Sequence, residues 1–256
     1  MNEAAPKGLA PRHGIARVLS KLGLASRTES ARWVRAGRVR VNGRLVRDPE
    51  FPVTQGRDVI VVDDCETVSS KRRVIMLNKP RGLVTTAADD QGRATVYRCL
   101  DGAGLPWLAP VGRLDKASEG LLLFTNDPAW AAGITAPESA LDKTYHVQID
   151  RLPDEGVIRH MVDGIDWDGR HLSAKSVRCL RRGAKNAWLE IVLDEGRNRH
   201  IRRLLAAIDA SALRLVRTAI GSLPLGELGK GQWRELGEDE IHRLERPAAD
   251  ASRPSR

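Results

Sequence analysis

One segment constrains this chain more than any other. The polar loop Gly112-Arg113-Leu114-Asp115-Lys116-Ala117-Ser118-Glu119-Gly120 runs without a break into Leu121-Leu122-Leu123-Phe124-Thr125-Asn126-Asp127. A short, fully apolar run bounded by turn residues reads as a buried strand. An acidic side chain on a loop fixed to such a strand is placed where it can do chemistry. An aspartate close to glycine also serves simply to close a turn, and the loop alone does not separate the two readings.

The charge pattern narrows the partner. The 256 residues carry a formal net charge of +9, and 41% of them are hydrophobic, an ordinary share for a folded chain. Residues 1–62 hold 12 Lys/Arg against 5 Asp/Glu, so most of the excess sits in the first quarter. A dedicated basic module of this kind points to a polyanionic partner. A membrane is disfavoured, because no apolar run approaches 18 residues and no lipidation motif is present. The 3 cysteines and 6 histidines show neither CxxC nor HExxH spacing, so no metal site is expected. Nothing at the N-terminus reads as a signal peptide, and a cytoplasmic protein with reduced thiols is expected.

Along the chain, residues 1–11 read as a flexible tail and 12–62 as a small module. Ile15, Val18, Leu19 and Leu22 mark one face of a helix ending near Gly23. Ser26 and Glu29 have the spacing of a capping box for a second helix closed by Gly37. Val39 and Val41 then alternate with arginines, and Asn42-Gly43 signals a type I′ hairpin. Residues 63–73 read as a linker. From 74 to 245 the pattern is α+β: strands at Val74–Leu77, Leu83–Thr85, Leu121–Thr125, Thr144–Ile149, Ser176–Leu180 and Ala187–Leu193, with helical pieces near Thr95–Leu100, Pro128–Ile134 and Pro153–Val162. The best-marked helix is Arg197–Ala207. A mainly antiparallel, extended sheet follows from this order. Residues 246–256, rich in Ala, Pro, Ser and Arg, are expected to be disordered.

Several separated motifs share one resemblance. They are Asn78-Lys79-Pro80-Arg81-Gly82 with Thr85, the Asp115 loop, Lys143-Thr144-Tyr145 with Val147, and Glu195-Gly196-Arg197-Asn198-Arg199-His200-Ile201-Arg202-Arg203. Arg217-Thr218-Ala219-Ile220-Gly221 and Gly231-Gln232-Trp233-Arg234-Glu235-Leu236 complete the set. Together they resemble the RNA pseudouridine synthases that modify ribosomal RNA. The first module resembles the RNA-binding domain named after ribosomal protein S four. The resemblance implies Asp115 as the catalytic carboxylate, Tyr145 facing the target base, and Arg202 as the arginine paired with Asp115. It departs from the family at Ser118, where threonine is commoner, and at Arg199-His200, where His-Gln is frequent.

The implied reaction is an isomerisation that conserves atoms and electrons, so no organic or metal cofactor is required. A carboxylate in a pocket dry enough to hold a detached uracil needs a fixed cation beside it, since desolvation opposes its charge. Arg202 is expected to supply that cation in a buried, bidentate pair. Arg27, Arg32, Arg35, Arg38 and Arg40 of the first module, with Lys79, Arg81 and Arg113 nearer the loop, are expected to contact RNA, because guanidinium forks suit phosphate oxygens. The implied partner is ribosomal RNA, with the large subunit favoured over the small, or a ribosomal precursor particle, met by a monomer. Two other readings are weighed: a non-catalytic ribosome assembly factor, and a glycoside hydrolase using Asp115 with Glu119.

Overall fold

The computed structural model describes residues 12–67, 71–139 and 141–245. The expected tails, 1–11 and 246–256, lie outside the described residues. Two compact units emerge: one reaches to Arg72 and takes in Gly104–Ala109, and the other holds Arg73–Ala103 and the chain from Pro110.

In the first unit the apolar stripe folds into α1 (Ile15–Lys21), followed by α2 (Arg27–Arg35). Half of the expected capping box forms: the Glu29 N–H donates to Ser26 Oγ at 3.1 Å. The Glu29 carboxylate does not return to the cap. It accepts from Arg32 and from Trp33 Nε1 at 3.2 and 3.0 Å. The hairpin β1 (Val39–Val41) and β2 (Arg44–Val46) turns at Asn42 and Gly43, both with positive φ, 49° and 78°, as a type I′ turn requires. β3 (Ile60–Val62) pairs with β1, and β4 (Cys65–Glu66) with β3. The segment from Asp63 is therefore in part the return of a hairpin rather than a linker, turned by the left-handed Asp63 and Asp64. Residues 68–70 lie outside the described residues. Ile15, Val18, Leu19, Val34, Val39 and Ile60 form this unit's own apolar core. The short piece 104–109 belongs here too, with the Trp107 N–H donating to the Gly23 carbonyl at 3.1 Å.

The second unit is built on a mixed sheet. Its long strands are β5 (Val74–Lys79), β6 (Glu119–Thr125), β7 (Lys143–Ile149), β8 (Ser176–Arg182), β9 (Ala187–Leu193), β10 (Ala212–Ile220) and β11 (Trp233–Glu235). They lie in the order β8-β9-β7-β10-β6-β5-β11. All neighbours are antiparallel except β6 and β10, which run parallel over Val216↔Glu119 and Arg217↔Gly120. At that crossing a side chain on Gly120 would meet the Arg217 carbonyl at 2.2 Å, and Gly120 has φ +101°. Only glycine fits there.

Helices cover the sheet. α3 (Pro128–Thr135) and α6 (Glu238–Glu245) seal β5 and β6 through Trp130, Ile134, Ile241 and Leu244, while α5 (His200–Ala206) and α4 (Glu155–Asp163) seal β7, β9 and β10. Two expectations change here. Leu83–Thr85 forms no strand, only a single bridge from Val84 to Thr95. The helix expected from Arg197 begins at His200, because Arg199 takes a left-handed conformation (φ 53°, ψ 30°).

Candidate active site

The Asp115 loop is held by its backbone, and the holding residues come from the end of β5 and the turn beyond it. Lys79 is fully buried, and its Nζ donates to the carbonyls of Ser118 (2.8 Å), Asp115 (3.1 Å) and Pro80 (3.2 Å). The Gly82 N–H donates to the Lys116 carbonyl at 2.8 Å. The Thr85 hydroxyl donates to the Leu114 carbonyl at 2.7 Å and accepts from the Leu114 N–H at 3.3 Å. Carbonyls at 114, 115, 116 and 118 are thus all engaged, while the Asp115 carboxylate is left out of the network. Lys79 was expected to contact RNA, and this is corrected: an ammonium with three carbonyl acceptors and no exposed surface does not reach a phosphate. Burial pulls it down to about 8, opposed by the charges of Asp115 and Glu119.

Asp115 opens onto a cavity of about 550 Å³ that also takes in Arg113, Tyr145 and Arg202, a size that accommodates a small organic ligand. Apolar walls come from Val111, Ile134, Leu193 and Leu215. A second hollow of about 430 Å³ shares Arg113, Leu114 and Asp115 and continues past Thr85 and Asn198. The loop is therefore a ridge between two depressions. Tyr145 is half-buried on β7, with Ile191 and Arg217 as its cross-strand neighbours.

The expected buried bidentate pair is not what forms. Arg202 Nε lies 4.0 Å from Asp115 Oδ2, and the two side chains are 20% and 42% exposed. That is a through-space ion pair at the lip of a cleft, without a hydrogen bond. Burial holds the Arg202 guanidinium below its usual range, as does the charge of Arg199, while Asp115 opposes both. Arg81 contributes in the same sense as Arg199. Arg81 and Arg113 are exposed.

Glu119, four residues along, does not face the cavity. Its carboxylate is 4% exposed and accepts from Arg214 Nε at 2.8 Å and Lys230 Nζ at 2.7 Å. The hydrogen bond from Arg214, chiefly, holds it down to about 2. The hydrolase reading, which needs two carboxylates on one sugar, fails on this geometry.

The five arginines of the first unit expected to contact RNA are all exposed. Arg38 is committed to Asp63 through two Nε contacts of 2.9 and 3.1 Å and lies over the Trp33 ring at 4.9 Å. Arg27 and Arg32 have acidic neighbours at 3.6 and 3.2 Å. Exposed pairs of this kind are weak and exchange readily for phosphate. Arg40 reaches the Gly43 carbonyl at 3.4 Å.

Cavity residues that carried no assigned role in the sequence include Lys143, Arg199, His200 and Arg217. His200 is 3% exposed, and its Nδ1 lies 3.1 Å from Glu195 Oε1 but out of line for a hydrogen bond. Burial holds its imidazole below the usual range, with Glu195 opposing. A positive φ at a non-glycine residue such as Arg199 has no sequence signature. Arg217 stood in a quoted motif, but its depth in the cavity follows only from the parallel pairing of β6 and β10.

Comparison with known proteins gives the family and the fold. The family model for RNA pseudouridylate synthase matches residues 73–207, and that for the S4 domain matches residues 14–60. An RNA pseudouridine synthase of Aquifex aeolicus (strain VF5) is 35% identical over 232 residues, 90% of this chain and 92% of its own. Ribosomal large subunit pseudouridine synthase B of Bacillus subtilis (strain 168) is 33% identical, covering 90% of this chain and 94% of its own. A crystal structure of a pseudouridylate synthase superposes with a TM-score of 0.63 at 29% identity, over 92% of this chain and all of that one. Among the described residues, no helix is long and apolar enough to cross a membrane.

Proposed function

Because the chain belongs to the RNA pseudouridylate synthase family, we propose that it converts one uridine of ribosomal RNA, in the large subunit, into pseudouridine, with Asp115 as the catalytic carboxylate. The observation that carries the reading is the contrast within one loop: four backbone carbonyls are tied down, and the Asp115 carboxylate alone is left facing a cavity shared with Tyr145 and Arg202. The name of the Bacillus subtilis relative supports the large subunit as the source of the substrate.

The chemistry sets the roles. The bond from uracil N1 to the ribose breaks, the base turns, and its C5 joins the same sugar carbon. A fixed carboxylate serves as nucleophile or base in that sequence. Arg202, with its charge beside Asp115, orients the carboxylate and offsets the cost of desolvating its charge as RNA covers the cleft and excludes water. Tyr145 gives the freed base a flat surface to stack on. A uridine inside a helix cannot reach this ridge, so the target is flipped out at a cost of a few kcal/mol. Arg27, Arg32, Arg35, Arg38 and Arg40, with Arg81 and Arg113, offset that cost by neutralising phosphates. The protein acts as a monomer on the RNA or its precursor particle in the cytoplasm.

The test is position-resolved pseudouridine mapping of ribosomal RNA from cells lacking this protein. One site should disappear, return with the wild-type gene, and fail to return with Asp115→Asn. An unchanged map would defeat the proposal. Restoration by Asp115→Asn would favour the assembly-factor reading.

A further inference from the structure

One charged group inside the cavity has no task in the scheme above. Arg217 is only 6% exposed. Its Nε donates to the Leu121 carbonyl at 2.7 Å, which fixes the plane of the guanidinium. Its Nη2 is buried and has no hydrogen-bond partner. Buried donors in native proteins are almost always satisfied, so an orphan on a residue that lines a pocket calls for a partner, and a ligand atom entering the pocket can supply one. Arg217 lines the same cavity as Asp115 and Tyr145. It is also the direct cross-strand neighbour of Tyr145 in the pairing of β7 with β10, and directly opposed residues project their side chains side by side on one face.

Depth decides between the parts of a nucleotide. Phosphates stay at the rim of a cleft, and the exposed Arg81, Arg113 and Arg199 are placed for them. The base is the part that is buried, and Arg217 sits among Leu193, Leu215 and Ile220, an apolar lining that suits a uracil ring.

The reaction supplies the reason for a cation there. When the N1–C1′ bond breaks, its electron pair leaves with the base, which becomes an anion with charge shared among N1, O2 and O4. That charge is spent when C5 bonds to C1′, the C5 proton departs and N1 is protonated, so atoms and electrons balance without a co-reactant. A donor fixed in advance where charge develops is worth most in a water-poor site. We propose that Arg217 is a second catalytic residue, donating from Nη2 to a uracil carbonyl oxygen and stabilising the detached base as an anion. The inference rests on the uridine isomerase reading and adds the leaving-group half of the reaction to it.

Arg217→Gln and Arg217→Lys test it on the full chain with its RNA. For Arg217→Gln, turnover should fall about 100-fold or more, while RNA affinity stays within about threefold, the split expected of a group acting on the transition state. Arg217→Lys, which keeps the charge, should recover part of the rate. Turnover of Arg217→Gln within threefold of wild type, or a loss residing wholly in binding, overturns the inference while an active wild type leaves the isomerase reading standing. A wild type that forms no pseudouridine overturns both. Should both variants fail to fold, a crystal structure of the Asp115→Asn protein with its RNA decides. Nη2 within hydrogen-bond reach of uracil O2 or O4 supports the assignment, and contact with a phosphate or with no RNA atom defeats it.

Discussion

Asp115 and Glu119 lie four residues apart, one on a loop and the other opening β6, and the fold treats them oppositely. Glu119 is 4% exposed and takes two charged donors within 2.8 Å. Asp115 is 42% exposed, and its cationic neighbour stands at 4.0 Å. A carboxylate with its lone pairs occupied and its acidity raised to about 2 is a poor base and a poor nucleophile. It is well suited to pinning the start of β6 to β10. A carboxylate with free lone pairs on a loop immobilised through its carbonyls is suited to chemistry. Exposure therefore separates the acid proposed to react from the structural one more sharply than proximity to arginine, since both have an arginine.

The largest effect should come from removing the reactive acid. Asp115→Asn is expected to lower pseudouridine formation by at least about 10³-fold, with a melting temperature close to that of wild type, because surface changes rarely exceed ~0.5 kcal/mol. Single-turnover assays beside thermal melts check both halves. Full activity would remove Asp115 from the mechanism.

Glu119→Gln should do the reverse, sparing the chemistry and weakening the fold. The folded-state value of about 2 lies below the ordinary 4.5, so the ionised form favours folding. That stability is fully present above about pH 4.5 and is lost as pH falls toward 2. It amounts to about 3 kcal/mol by linkage. Urea unfolding at pH 7 should show the loss in Glu119→Gln, and the variant's stability should fall less steeply than wild type's in acid. Equal slopes would mean that Glu119 is not the pin.

Much of this contrast was legible in the residues, and some was not. The buried strand, the Asn42-Gly43 hairpin and the Ser26 cap each follow from local chemistry that the tertiary structure does not oppose. The Asp115 loop was legible as a polar turn before a buried strand, but its catalytic reading came from the family resemblance, because an aspartate near glycine serves equally to close a turn. Lys79 was misjudged, since a lysine in a turn motif reads as surface and only the folded chain supplies three carbonyls around its ammonium. β10 was missed because Arg214 and Arg217 break the two-residue alternation that marks a strand. One is absorbed by Glu119 and the other by the Leu121 carbonyl, partners that come from about 95 residues away. The pairing of Asp115 with Arg202 was implied by the same resemblance, which gave a partnership but not a distance.

Lys79 gives a smaller effect and a pH signature. With its value near 8 in the folded protein against 10.5 unfolded, the unfolded chain holds more protons between those values. Wild-type stability should therefore rise from pH 8 to 10.5, and Lys79→Met should lack that rise. The variant frees the carbonyls of Asp115 and Ser118, and activity at pH 7 is expected to drop about tenfold as the loop loosens, in line with the sensitivity of near-attack geometry to small displacements. Unchanged activity would show that Gly82 and Thr85 suffice to hold the loop.

The smallest stability effect is expected where the sequence alone pointed to one of the largest. A buried Asp115–Arg202 pair would cost about 3–5 kcal/mol to break from one side. The observed pair is separated by 4.0 Å, with the carboxylate 42% exposed. Solvent screens such a pair to below about 1 kcal/mol. Arg202→Ala should therefore melt nearly with wild type while losing activity. That result would place the arginine's worth in the RNA-covered state, where water is excluded and the same two charges interact more strongly. Repeating the melt with bound RNA sharpens the point. The gap between Arg202→Ala and wild type should widen in the complex, and a gap that is already several kcal/mol in the free protein would mean that the two acids differ less than their exposures suggest.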